Sequence, residues 1–317
     1  IVGVKAEITG HGHDLIIKSQ QGKIAEFDFV DVTTIITKLN EEEPILTVEG
    51  DLTGTSNQAS LFVQNSPLNE RFGSALKSVD ITGGSNINLD LMVPLTDPDA
   101  TEVSGYVSFI ESQLQLSSLN KVGLLDVNGQ LHFDNNGVYA KNIKADLFKE
   151  SIKVNVKPKG KGTNVSLVGH LSSQEIKSLW PEAVPEFING RAAYQVDITV
   201  LEKGIGDFYV NYDLISDLKG IEIKMPEPFF KSGQQTLAFN AMMENTDSGL
   251  EYSLKYGDVM NVIAAPNADS WRGAIRFGKE QAELPNNGIK IRGKLVELSI
   301  DSWLEWSKAE YPSEMDE

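Results

Sequence analysis

The 317-residue sequence has no cysteine, only four histidines and four tryptophans, and 28 basic residues against 45 acidic ones. Without thiols there are no disulfide frameworks, thiolate zinc sites or cysteine nucleophiles. The redox compartment stays open, because a chain lacking thiols suits an oxidising and a reducing milieu equally. A formal charge of -17 repels phosphate backbones and gains nothing from counterion release, which excludes nucleic acid as a partner. No window reaches the ~18 consecutive apolar residues that a membrane-crossing helix needs. No signal segment opens the chain. It begins at Ile1 and runs directly into strand-like sequence, as expected of a part cut from something longer.

What the chain does have is alternation. Apolar and polar residues repeat with a period of two over Val103–Phe109, Asp126–Phe133, Thr163–His170, Ala192–Val200, Asp207–Leu214 and Ile289–Leu295. That period puts one face of a strand against a core and the other in water. Asn128-Gly129, Asn136-Gly137, Asn189-Gly190 and Asn287-Gly288 are dipeptides that accept positive φ, so tight hairpin turns are expected there. The length exceeds one ordinary core, so either two domains or one elongated body is expected. The reading is mainly β: an elongated, curved antiparallel sheet, a half-pipe built from repeats, with a few short α-helices.

Three segments of that one elongated domain are expected: 1–80 with helices near 56–77, 81–180 ending in a short helix over 173–180, and 181–317 ending in a helix over 301–309. Leu61, Phe62, Leu68, Phe72 and Leu76 fall at helical spacing, with Pro67 dividing the run. Ser172 or Ser173 is the expected cap of the helix ending at Trp180, and Asp301 of the helix carrying Trp303, Leu304 and Trp306.

A repeat runs through the strands. Gly105-Tyr-Val-Ser-Phe109 returns as Gly129-Gln-Leu-His-Phe133 and as Gly273-Ala-Ile-Arg-Phe277. The last two are each followed by an Asn-Asn-Gly-apolar turn, Asn135 to Val138 and, after an insertion, Asn286 to Ile289. Such self-similarity marks a sheet unit that stacks on its neighbours. Within each copy the central apolar residue and the phenylalanine share one strand face. Val107, Phe109, Leu131, Phe133, Ile275, Phe277, Ile289, Ile291 and Leu295 therefore form apolar rows and are the candidate site residues. Alternation alone points to a dry sandwich core. The shortage of helices to cover so long a sheet points instead to a curled sheet whose rows line a groove.

Chemistry-bearing patterns are weak. His11-Gly-His13 places two imidazoles on one side of a strand but has no third ligand. Glu41-Glu42-Glu43 lacks the interleaved ligands of a cation loop and reads as a solvated turn. Lys157-Pro-Lys-Gly-Lys-Gly162 lacks the spacing of a phosphate loop and reads as a basic hairpin, with a weak lipid-headgroup contact as the functional option. Asn164-Val-Ser166 is a chance acceptor sequence in a strand. No Gly-x-Ser-x-Gly elbow and no acid–base pair stand out, so no catalytic residue, metal site or cofactor is assigned and no enzyme activity is expected.

Two stretches carry a resemblance: Leu218-Lys-Gly-Ile-Glu-Ile-Lys-Met-Pro-Glu-Pro-Phe-Phe230 and the segment from Arg272 to Trp306. In the second, Leu284-Pro-Asn-Asn-Gly288 precedes a strand, and Gly293-Lys-Leu295 leads to Asp301-Ser-Trp303. Val48-Glu-Gly-Asp-Leu-Thr-Gly54, Ser66-Pro-Leu68, Gly83-Gly-Ser85 and Leu89-Asp-Leu-Met-Val-Pro-Leu95 agree with them. The chain resembles giant members of the AsmA-like family over nearly its whole length. That resemblance implies a long curved sheet with an apolar interior, bridging the periplasm of Gram-negative bacteria and moving phospholipid between inner and outer membranes. The implied partners are phospholipid acyl chains, the two membranes and the rest of a parent chain held in the inner membrane by an N-terminal helix outside this segment. The alternative is a passive periplasmic scaffold or outer-membrane assembly factor with a closed β-core. A carbohydrate-binding or adhesive β-protein is a third, weakened by the absence of a spaced tryptophan platform.

Overall fold

The computed structural model describes residues 2–24, 27–64, 79–116, 122–160, 162–179, 181, 184–204, 207–268, 270–295 and 297–310. They fall into two compact units, Ile1–Val165 with Gly204–Gly206, and Ser166–Lys203 with Asp207–Glu317. The chain is mainly β and mostly antiparallel, with three short α-helices among the described residues.

Unit 1 is a meander. Strands β1 (Val2–His11), β2 (Asp14–Ile24), β3 (Phe27–Thr37), β4 (Ile45–Thr55), β5 (Val79–Pro94), β6 (Glu102–Leu116), β7 (Gly123–Asp134), β8 (Gly137–Leu147) and β9 (Glu150–Lys159) each pair antiparallel with the next. Helix α1 (Ser56–Gln64) lies between β4 and β5. It starts with a reciprocal cap: the Thr55 backbone N–H donates to Gln58 Oε1 at 2.7 Å, and the Gln58 N–H donates to Thr55 Oγ1 at 3.2 Å. The expected second helical stretch, with Leu68, Phe72 and Leu76, lies outside the described residues, as do the Ser66-Pro-Leu68 segment and the side chain of Phe62.

Strand β10 (Gly162–Ser172) contains the boundary between the units. Unit 2 continues with α2 (Ser173–Leu179), β11 (Ile188–Gly204), β12 (Asp207–Ser216), β13 (Ile221–Ile223), β14 (Phe239–Thr246), β15 (Gly249–Tyr256), β16 (Met260–Asn267), β17 (Ser270–Phe277), β18 (Ile289–Gly293) and α3 (Ile300–Glu310). Strands β12, β14, β15, β16 and β17 pair antiparallel in that order, and β18 joins β17 in parallel. Ser172, not Ser173, caps α2, exchanging bonds with Glu175 at 3.1 and 3.2 Å. Ser299 rather than Asp301 caps α3, accepting from the Ser302 N–H at 3.3 Å. Trp180 lies outside the described residues.

The asparagine–glycine pairs do not all turn the chain. Asn128 and Gly129 sit inside β7, with Gly129 opposite Phe109. Asn189 and Gly190 pair with Glu222 and Ile221. The β7–β8 hairpin is turned by Asn135-Asn136, one residue earlier than expected, with Asp134 Oδ1 accepting the Asn136 N–H at 2.7 Å. Asn287-Gly288 leads into a parallel strand rather than a hairpin.

Candidate functional site

The strand registers place like residues in rows across each unit. In unit 1, Phe29, Leu52, Ile87, Val107 and Leu131 stand opposite one another in turn, and Val48, Leu91 and Val103 form a second row. The opposite face carries Glu7, Lys18, Thr33, Glu49, Asp90 and Ser104 in one row. A single-residue slip would exchange the two faces. Bulges keep them constant: Asp31 and Glu111, both at positive φ, mark register shifts in β3 and β6, and the apolar residues resume on the same side beyond them.

The repeated glycine–phenylalanine pattern has a cross-strand explanation. Gly105 faces Phe133 while Phe109 faces Gly129, with Val107 against Leu131 between them. A Cβ on Gly105 would lie 2.9 Å from Phe133 Cζ and would collide with the Asn88 carbonyl oxygen. The ring of Phe133, 8 % exposed, therefore occupies the space a side chain would have filled. Gly22 gives way to Phe29 in the same manner, and Phe277 stands opposite Gly293.

Unit 1 is closed over part of its apolar face. Helix α1 packs Ala59 against Phe27, Phe29, Leu52 and Ile87, with Val107 at the margin. The Ser56 and Ser112 hydroxyls meet at 3.0 Å beneath it, and both donate to the Gly84 carbonyl. A cleft of about 550 Å³ opens in unit 1 among Thr33, Glu49, Asp90, Glu102, Ser104 and Asp134. Its lining is mixed, the carboxylates of Glu49, Asp90, Glu102 and Asp134 standing beside Ile35, Val48, Leu91, Met92 and Val103, so it is less apolar than a hydrocarbon site requires.

Unit 2 is arranged differently. Its apolar face has three rows: Tyr212, Met243, Tyr252, Ala264 and Gly273; Leu214, Ala241, Leu254, Val262, Ile275 and Ile291; and Phe239, Tyr256, Met260 and Phe277. Tyr256 of the third row is buried with Ile221 and Ile223 of β13, and the half-buried Phe239 and Met260 pack against the same cluster together with Leu218, Met225, Phe229 and Leu237. Phe229 meets Phe277 edge-on at 6.1 Å and Trp303 of α3 at 5.8 Å, and Trp303 meets Trp306 at 5.4 Å. Both indoles are anchored, Trp306 Nε1 donating to the Lys224 carbonyl at 2.8 Å and Trp303 Nε1 to the Glu227 carbonyl at 3.3 Å. The first two rows border an apolar cleft of about 350 Å³ lined by Tyr212, Ala241, Met243, Tyr252, Leu254 and Val262.

Two titratable groups hold the cover in place. Lys231, 1 % exposed, donates from Nζ to the Ile221 carbonyl at 2.7 Å and the Ser232 carbonyl at 3.1 Å. Burial lowers its pKa, and the Asp217 carboxylate partly opposes that shift. The Tyr256 hydroxyl donates to the Phe229 carbonyl at 3.1 Å. Burial, reinforced by the Glu227 carboxylate, pushes its pKa up to about 12.

Of the sequence-derived candidates, Val107, Phe109, Leu131 and Phe133 share one face of unit 1, and Ile275, Phe277, Ile289 and Ile291 one face of unit 2. Ile289 and Ile291 are exposed on the parallel strand β18, Leu295 is half-buried just beyond it, and Phe133 is packed shut. Tyr212, Met243, Leu254 and Val262, which border the apolar cleft, carry no repeat signature and were not among the candidates. Alternation within Phe239–Thr246 and Gly249–Tyr256 was the available signal for their neighbourhood. His13 Nδ1 lies 3.1 Å from Glu41 Oε1, and no group of three metal-ligating side chains occurs among the described residues. Asn164 is 5 % exposed within β10, which hides that acceptor sequence.

Fold and surface together define a repeat-built β-sheet protein whose strands are apolar on one face and polar on the other. The chain belongs to the YhdP protein family, whose sequence profile matches residues 1–316. It is 24% identical over 230 residues to the intermembrane phospholipid transporter YhdP of Escherichia coli (strain K12). That alignment covers 71% of this chain and 18% of the relative, so the chain spans a small part of that protein's length. No solved structure matches. Among the described residues, no helix is long and apolar enough to cross a membrane.

Proposed function

We propose that this chain is a segment of a phospholipid-transport bridge between inner and outer membranes, in which apolar sheet faces keep acyl chains out of water. The observation that carries the reading is the apolar cleft of unit 2, bordered by two of its three apolar rows and lined almost wholly by apolar side chains. The family relation supports it, because a relative bears the name of an intermembrane phospholipid transporter. The bridge lies in the periplasm, with the parent chain anchored in the inner membrane by a helix outside this segment.

The physical need is plain. A phospholipid has roughly 30 tail methylenes, and exposing them at about 0.8 kcal/mol each costs on the order of 25 kcal/mol. A barrier of that size gives spontaneous escape on the order of once in 10⁶ seconds. An apolar strand face removes most of that cost without directional chemistry, while the headgroup stays in water. Such a role asks for rows such as Leu254, Val262 and Ile275 and for no catalytic group.

A photocrosslinking amino acid at Ile275, introduced into the parent protein in Gram-negative cells, tests the reading. Phospholipid adducts are expected. Adducts to protein neighbours alone, with no lipid, would replace it with the closed scaffold.

A further inference from the structure

We infer that unit 2 seats a phospholipid in one orientation, with its headgroup at the Tyr252–Trp271 rim and its chain ends against the aromatic stop of Phe229, Phe277 and Trp303. This rests on the lipid-bridge reading and adds direction and length to it. Along β17 the apolar face is carried by Trp271, Gly273, Ile275 and Phe277, and its character changes steadily from one end to the other.

At the first end Trp271 is 55 % and Tyr252 36 % exposed, and their rings touch at 5.6 Å. Tyr212 stands in the same row as Tyr252, joined through Met243. Tyrosine and tryptophan combine an apolar body with a polar tip, the combination enriched where hydrocarbon meets water. In the middle, Leu254, Val262 and Ile275 are purely aliphatic and half-buried. At the far end Phe277 meets Phe229, which is backed by Trp303 and held by the Tyr256 hydroxyl bond to its carbonyl. A chain entering from the rim meets that cluster as a wall.

The length agrees. Trp271 to Phe277 spans six residues, roughly 20 Å at ~3.3 Å per residue. One leaflet of a bilayer contributes about 15 Å of hydrocarbon, half of the ~30 Å core. The whole span from rim to stop therefore exceeds the depth of one set of tails by about 5 Å, which leaves the rim for glycerol and headgroup. The opposite orientation would set a charged headgroup against the hydrocarbon rings of Phe229 and Phe277 and against an indole whose N–H is already given to the Glu227 carbonyl.

Two phosphatidylethanolamine probes, one with a diazirine in the headgroup and one with a diazirine at the end of an acyl chain, are loaded separately onto the full unmodified chain. After irradiation the labelled residues are mapped by mass spectrometry. The headgroup probe is expected to label Tyr212, Tyr252 or Trp271, and the chain-end probe Phe229, Phe277 or Trp303. Exchanged patterns, or the same residues labelled by both probes, overturn the orientation while leaving lipid binding intact. Failure of both probes to label unit 2 overturns the orientation together with the reading on which it rests.

Discussion

Replacing Ile275 with aspartate separates an open lipid-bearing face from a packed core. Ile275 is half-buried, stands between Val262 and Ile291, and lies on the same face as the apolar cleft. With lipid seated, Ile275→Asp removes an apolar contact worth about 1.5–3 kcal/mol and sets a carboxylate beneath hydrocarbon, at a further cost of at least about 1–3 kcal/mol. A total near 3 kcal/mol corresponds to roughly a hundredfold loss of affinity. The empty protein loses far less, because the new carboxylate can reach water. Phospholipid per protein, measured by mass spectrometry after solvent extraction, is expected to fall at least tenfold while circular dichroism and urea midpoint change little. Lys255→Glu, exposed on the opposite face of β15, is the control and is expected to retain its lipid. A folded Ile275→Asp protein with unchanged lipid content would refute the reasoning.

Three further outcomes follow from the packing. Gly105→Val forces a side chain into the Asn88 carbonyl and the Phe133 ring, so a loss of at least about 1–3 kcal/mol in urea unfolding is expected; an unchanged midpoint would contradict the interlock. Tyr256 has a folded pKa of about 12 against an ordinary 10.0, so the folded state retains its proton longer. Its contribution is therefore intact below pH 10 and is lost as pH rises toward 12, by up to roughly 2–3 kcal/mol, and Tyr256→Phe is expected to flatten that alkaline slope in pH-dependent unfolding. Thr55→Ala removes one half of the α1 cap and is expected to cost about 1 kcal/mol, read as faster amide exchange in Ser56–Gln64 than in the neighbouring strands.

The strands were legible in the sequence because each has one wet face, and period-two alternation is the direct trace of that condition. Glu102–Leu116 and Gly123–Asp134 contain the stretches expected, with longer ends. The repeated glycine was legible as a pattern but not as a cause, since its partner phenylalanine lies on another strand and only register brings them together. Asn128-Gly129 misled because Asn128 serves a bulge, accepting the Glu111 N–H at 3.0 Å and donating to the Asp126 carbonyl at 2.9 Å. The β8–β9 turn went unseen for the opposite reason: Phe148 and Lys149 both adopt positive φ without a glycine or asparagine to announce it. The aromatic stop draws Phe229, Phe277, Trp303 and Trp306 from three distant segments, a proximity that alternation cannot encode.

The central claim, that hydrocarbon occupies the apolar face of unit 2, is tested most directly by purifying the unmodified chain from bacterial cells, extracting it with organic solvent and weighing the extract by mass spectrometry. Co-purifying phospholipid near or above one molecule per chain is predicted. A chain that emerges folded and free of phospholipid would contradict the account.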